Sequence, residues 1–424
     1  MAVLFDPPSW AFSANIYEVN LRQYTPEGTI RAFMDHLPRL ADMGVQVLWL
    51  MPVTPIAVEG RKGTLGSYYA SKAFRALNPE FGTLDDFRAL VDKVHELGMK
   101  LIIDWVANHT GLDHEWTRTN PDFYLCDAAG NFTEKNGWDD VIDLDYTNPA
   151  LEEEMIACME WWLQSFKIDG FRCDMAHLVP LSFWQKARTR LDARQQHFWL
   201  AECEEVRYHD VFDVTYTWEW MHASERFAKQ QASMQDLWEL LYKLDHRFPP
   251  VAMRAYFTTN HDENSWNGTE YEKFGGLALP LAVFSATWNG MPLLYSGQEM
   301  PNIKRLKFFD KDEIEWNERP ALHEFYKKLF HLRAVHSALR AGDTNVYTQR
   351  IPTSHPLQVF CFVRENQGAR VLIMLNFSAS TVSFSLNTEI ASGQFTELFG
   401  NNEVVLESNT SITLPPYGYY VFHQ

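Results

Sequence analysis

Short apolar and β-branched runs alternate along most of the chain with longer stretches in which apolar side chains recur every three to four positions. The short runs predict strands at Asn15–Val19, Val45–Met51, Lys100–Trp105, Ile168–Cys173, His197–Ala201, Val211–Tyr216, Ala255–Thr258 and Leu293–Tyr295. The longer periodic stretches predict helices over Thr29–Met43, near Leu84–Leu97, over Leu151–Phe166 and over Ser182–Leu191. Eight such units over roughly 340 residues place the chain in the α/β class as a (β/α)8 TIM barrel. An open doubly wound sheet fits less well, because polar and acidic residues recur at the C-terminal ends of several strands rather than at one switch point.

Two stretches break this rhythm. The segment 109–149 is rich in Asp, Asn, Gly and aromatic residues and is too long for an ordinary strand-to-helix loop, so it reads as a small inserted domain over the barrel mouth. After Gly342 the texture turns to alternating runs, Gln358–Arg364, Ala369–Phe377 and Thr381–Leu386, separated by polar turns, which predict a C-terminal all-β sandwich. The expected division is barrel 1–108, insert 109–149, barrel 150–342 and sandwich 343–424.

Charge narrows the partners. With 37 Lys+Arg against 55 Asp+Glu the formal charge is −18, and no basic run offsets it, so neither nucleic acid nor an anionic membrane surface is an expected partner. Aromatic residues make up 14%, with 15 Trp, a supply of flat rings of the kind that stack on sugars, although most belong in a core. Five scattered cysteines without CxxC spacing predict free thiols rather than a disulfide framework or zinc site. The opening MAVLFDPPSW lacks a leader pattern and no apolar run is long enough to span a bilayer, so a cytoplasmic protein is expected unless a leader peptide has been removed. Oligomeric state is not legible.

Three acids stand where strands are expected to end: Asp174 in GFRCD, Glu202 in FWLAE and Asp262 in TTNHDEN. In a barrel these distant positions converge on the face where catalytic groups sit, and glycoside hydrolysis uses two carboxyl groups flanking the scissile bond. Each acid alone reads more readily as a helix N-cap; three together favour chemistry.

DWVANH (Asp104–His109), GFRCD (Gly170–Asp174), Glu202 and NHD (Asn260–Asp262) follow one another in an order and spacing that resembles the α-amylase superfamily, glycoside hydrolase family 13. MGVQVLWLMPVTP, NPEFGT and GMPLLYSGQE extend the likeness over the whole barrel, and the insert and sandwich then resemble that family's domains B and C. The resemblance implies a retaining α-glucan hydrolase with Asp174 as nucleophile, Glu202 as acid/base and Asp262 as the third essential carboxylate. It also implies Arg172 as the cation beside the nucleophile, His109 and His261 as hydrogen-bond partners of the sugar, Tyr69 as the stacking ring and Asp104 as an orienting acid.

Some positions depart from the family pattern. Ala73 and Phe74 replace an Asp–Tyr pair, and His177–Leu178 replace Lys–His after the nucleophile, leaving His177 as a residue for the aglycone side. The family's calcium ligands match only at Asn108 and Asp143, too few oxygens to define a site, and the chemistry itself requires no cofactor. VIDLD leans toward α-1,4 rather than α-1,6 bonds. Trp105, Trp218, Trp220, Trp266 and Tyr295 are further possible stacking rings. The alternatives are a transglycosylase or α-1,6-glucosidase of the same family, a non-catalytic carbohydrate-binding or accessory protein, and an unrelated metal-dependent barrel hydrolase. The survival of all three carboxylates counts against the accessory protein, and the lack of an HxH pair or Cys/His cluster against the metal enzyme.

Overall fold

The computed structural model describes residues 5–386 and 388–424. Ten strands build its first part: β1 (Ile16–Val19), β2 (Val47–Leu50), β3 (Lys100–Trp105), β4 (His109–Gly111), β5 (Val141–Asp143), β6 (Gly170–Cys173), β7 (Phe198–Ala201), β8 (Val214–Tyr216), β9 (Met253–Tyr256) and β10 (Met291–Tyr295). Eight of them close into an all-parallel barrel in the order β1-β10-β9-β8-β7-β6-β3-β2. Apart from Lys100 every residue of these strands is buried, which is why they read as continuous apolar runs: a parallel strand is covered by side chains inside and helices outside.

All eight expected strands are present, Lys100–Trp105 with the expected bounds and the others with shifted ends. The run Val211–Tyr216 pairs only from Val214, because a 3-10 turn occupies Val206–Asp210. The seventh strand lies at Met253–Tyr256 rather than Ala255–Thr258; Thr258 has left the ladder and donates its hydroxyl to Glu270 at 2.5 Å. The helix expected over Thr29–Met43 is two, Ile30–Met34 and Leu37–Asp42. Pro38 has no N–H to offer the Met34 carbonyl, so the helical hydrogen-bond ladder is interrupted at Asp35–His36.

Between β3 and the helix Pro149–Phe166, strands β4 and β5 pair as an antiparallel ribbon with His109 opposite Asp143. Val141 of this ribbon packs on Ala57 and Ala70 from the long loop after β2, so two separate excursions meet above the barrel.

The C-terminal strands are β11 (Tyr347–Arg350), β12 (Val359–Asn366), β13 (Ala369–Asn376), β14 (Val382–Ser385), β15 (Gly393–Glu397), β16 (Glu403–Leu406), β17 (Ser411–Leu414) and β18 (Tyr419–His423). They form a six-stranded sheet, β11-β12-β13-β18-β15-β16, and a two-stranded one, β14-β17, which share one apolar core. Alternation along β12 divides its work: Val359, Cys361 and Val363 face that core, while Phe360 and Phe362 join the barrel's, Phe360 stacking on Trp238 at 3.8 Å.

Gly170 opens β6 where the strand lies hard against β7. A Cβ there would overlap the Phe198 carbonyl oxygen, a backbone atom that cannot swing away. Gly170→Ala is therefore expected to cost about 3 kcal/mol, read as a lowered denaturant midpoint with unchanged m-value; a midpoint equal to the parent's would contradict this packing.

Candidate active site

The register of the barrel puts two carboxylates side by side. Cys173 of β6 pairs with Ala201 of β7, and the ladder continues one step further, with Asp174 N–H donating to Trp105 O and Glu202 N–H to Cys173 O, both at 3.0 Å. Asp174 and Glu202 are thus neighbours across two adjacent strands at the C-terminal mouth. Met175, in a left-handed conformation (φ 40°), turns its N–H back to donate to Glu202 Oε2 at 2.9 Å. Such a backbone costs on the order of 1 kcal/mol in a non-glycine residue, and here it fixes the second carboxyl relative to the first.

Arg172, wholly buried, sits beneath them. Its Nη1 donates to Asp104 Oδ1 and Asp174 Oδ1, each at 3.0 Å, Nη2 lies 2.7 Å from Glu202 Oε2, and Nε donates to Tyr216 OH at 3.3 Å. The guanidinium also lies over the Trp49 ring at 4.8 Å. One cation among three acids leaves two negative charges uncompensated in a dry site, so protonation is divided by position. Burial pushes Glu202 up to about 7, against the pull of Arg172 and with the help of Asp174's charge. Burial also raises Asp174 to about 6, and there the direct bond from Arg172 favours the ionised form.

Asp262 does not sit at the strand end as expected. It lies six residues beyond β9, leading into a wide helical turn, Glu263–Asn267, that Asn260 holds by accepting the Glu263 N–H at 2.8 Å. Its side chain, 39% exposed, approaches His261 Nε2 at 3.2 Å. Burial opposes charge on His261, but Asp262 and Glu18 outweigh it and raise its pKa well above the ordinary value. As an imidazolium it donates from Nδ1 to Glu18 Oε1 at 2.5 Å and from Nε2 to the Tyr69 hydroxyl oxygen at 2.7 Å, and that hydroxyl in turn donates to Asp104 Oδ2 at 3.1 Å. Asp262 is held below the usual carboxylate range, His261 outweighing the cost of desolvation in the cleft.

Tyr69, His109, Asp174, Glu202 and Asp262 all line one cleft of about 420 Å3. His109 is buried, lowered by that burial to about 4 and so neutral, with its ring 5.3 Å from that of Trp138. The wall also includes Lys62, Trp138, Asp140, Trp266, Phe308 and Phe309. Of these only Trp266 stood out in the sequence.

A family model for the alpha-amylase catalytic domain matches residues 12–135 and 127–320, and one for the maltogenic amylase C-terminal domain matches residues 349–421. The chain belongs to the alpha-amylase family. The alpha-amylase MalA of Haloarcula japonica is 24% identical over 97% of this chain and 63% of its own length, and a cyclomaltodextrinase of Geobacillus thermopakistaniensis is 22% identical over 93% and 70%. The chain therefore spans somewhat under two thirds of the first of these relatives. Solved structures match end to end: an alpha-amylase from Lactobacillus plantarum (TM-score 0.89, 29% identity, 98% of this chain and 100% of that one) and the noncanonic maltogenic alpha-amylase AmyB of Thermotoga neapolitana (TM-score 0.89, 29% identity, 98% and 99%).

Within this alpha-amylase family member the departures from the sequence pattern have physical readings. Phe74 is buried among Trp105, His114 and Trp116, an apolar cluster at the root of the insert. His177 is exposed on the 3-10 turn Ala176–Leu178, apart from the cleft lining, because the left-handed turn at Met175 carries the chain outward. Trp105, Trp220 and Tyr295 are core residues and Trp218 packs on Tyr216 and Phe257, so none of these four lines the cleft.

The calcium that the family implies would fall at Asn108 and Asp143. Asp143 Oδ1 is buried without a hydrogen-bond partner, but Oδ2 accepts the Lys135 N–H at 3.1 Å, and burial, with Glu134 nearby, raises the Asp143 pKa and disfavours its charge. Asn108 Nδ2 meets His109 Nδ1 at 3.1 Å and its backbone carbonyl accepts the Leu144 N–H. Calcium takes six to eight oxygens, and among the described residues no group of three His, Cys, Asp or Glu is arranged to hold a metal. This donor set does not fit the ion. Among the described residues no helix is long and apolar enough to cross a membrane.

Proposed function

We propose that this chain hydrolyses α-1,4-glucosidic bonds in maltooligosaccharides and starch-type glucans by double displacement with retention. The carrying observation is the placement of Asp174 and Glu202 one step beyond the paired residues Cys173 and Ala201. Adjacent strands lie about 4.8 Å apart, and both carboxyls reach the one Arg172 guanidinium, which supports the close pairing of roughly 5–5.5 Å that retaining glycosidases use.

In this reading Asp174 attacks the anomeric carbon while Glu202, protonated because it is buried, gives its proton to the departing oxygen. The sugar is left as an ester on Asp174. Glu202, now a carboxylate, takes a proton from water, whose oxygen displaces Asp174 and restores both groups. Asp262, ionised against His261, grips the sugar hydroxyls as positive charge develops at the anomeric carbon. Neutral His109 hydrogen-bonds the same sugar, Tyr69 stacks on it, and Asp104 orients Arg172 and Tyr69.

The α-1,4 assignment draws on relatives named alpha-amylase, cyclomaltodextrinase and maltogenic alpha-amylase. Product chromatography on maltoheptaose, pullulan and isomaltose tests it. Turnover of maltoheptaose with isomaltose untouched is expected; preferential cleavage of isomaltose would overturn the bond assignment, and maltosyl transfer without net hydrolysis would make the enzyme a transglycosylase. No metal enters any step, so activity is expected to survive dialysis against EDTA unchanged; a loss restored by calcium would contradict this.

A further inference from the structure

We propose that Lys62 is a specificity-determining residue that latches one end of the cleft shut, so that the enzyme takes short maltooligosaccharides and chain ends in preference to the interior of long glucans. This rests on the function proposed above and names its substrate class. Lys62 lies in the long loop after β2, and its Nζ meets Asp139 at 2.5 Å and Asp140 at 3.0 Å, both in the insert between β3 and β6. Asp140 is buried and, like Lys62, lines the cleft beside Trp138, the ring against His109.

The same loop is tied to a third segment. Thr64 donates its N–H and its hydroxyl to Asp310 Oδ1 at 2.8 and 2.7 Å, and Leu65 N–H donates to Phe309 O at 2.9 Å. Gly63, at φ 60°, lets the loop lie so close to Phe309 that a Cβ would strike it. Lys62 also stands 6.0 Å from the centre of the Phe309 ring. Lys62 therefore ties the loop 58–66 to the insert at 139–140, the same loop is tied through Thr64 and Leu65 to 309–310, and all three stretches line the cleft that His109 also lines. A glucan bound against Asp174 and extending past His109 runs into that junction; a short oligosaccharide stops before it. The ion pairs are partly solvated, Lys62 being 34% and Asp139 84% exposed, so the latch is removable without disturbing the barrel.

The test compares kcat/KM on maltotriose and on soluble amylose for the parent, Lys62→Ala and Asp140→Ala, with amylose products sampled early. The amylose-to-maltotriose ratio is expected to rise at least about fivefold in both variants, and one dominant short product to give way to a ladder of lengths. Ratios within about twofold of the parent's in both variants, with the product pattern unchanged, would overturn the latch. Binding of the two ligands to Glu202→Gln forms with and without Lys62→Ala gives the same decision without turnover: amylose affinity rises relative to maltotriose if Lys62 is the latch, and does not if it is not. A parent that binds these glucans but cleaves none refutes the proposed hydrolysis, while the binding ratio still judges the latch.

Discussion

Replacing Asp174 with Ala is expected to lower kcat on maltooligosaccharides by on the order of 10^5-fold while leaving the protein folded. The loss is large because no other carboxylate can take the position: Asp104 is directed at Arg172, Trp49 and Tyr69, and Glu202 is held by the Met175 N–H. The fold survives because Arg172 keeps Asp104 as its counter-charge, with the Glu202 carboxyl also beside it, so removing Asp174 leaves no unpaired buried cation. Steady-state rates beside a thermal melt check both halves. A variant retaining a tenth of parental activity would remove Asp174 from the nucleophile's role.

The second large effect concerns pH. As the proposed nucleophile Asp174 has to be ionised, so kcat/KM is expected to fall as pH drops through its raised pKa near 6; as the proposed acid Glu202 has to be protonated, so activity is expected to fall as pH rises through its pKa near 7. The two carboxyls share Arg172, and the observed midpoints belong to the pair. Glu202→Gln is expected to lower kcat by about 10^3-fold and to abolish the alkaline limb while the acid limb persists. An alkaline limb unchanged in Glu202→Gln would assign that titration to another group.

Much of this arrangement is legible in the sequence for identifiable reasons. Buried parallel strands give uninterrupted apolar runs, and an acid directly after such a run, as at Asp174 and Glu202, has only the barrel mouth to occupy. Glu18 carries a subtler form of the same signal, an acid inside the buried strand IYEV, and it lies under His261. The cleft wall is harder to read, because Lys62, Trp138, Phe308 and Phe309 come from three loops with no shared periodicity, brought together by ion pairs and turn hydrogen bonds. Trp105 and Trp220 mislead in the opposite direction: large rings near strand ends pack into the core as readily as onto a ligand. The outward turn at His177 depends on the backbone of Met175, a non-glycine residue whose positive φ nothing in its side chain announces.

The central claim, that neighbouring strands set Asp174 and Glu202 at the spacing of direct displacement, is tested most directly by proton NMR of the anomeric signals during the first minutes of maltotriose or maltoheptaose cleavage, before mutarotation. The account predicts that the new reducing ends appear as the α anomer and drift to equilibrium. New ends appearing first as the β anomer would contradict it.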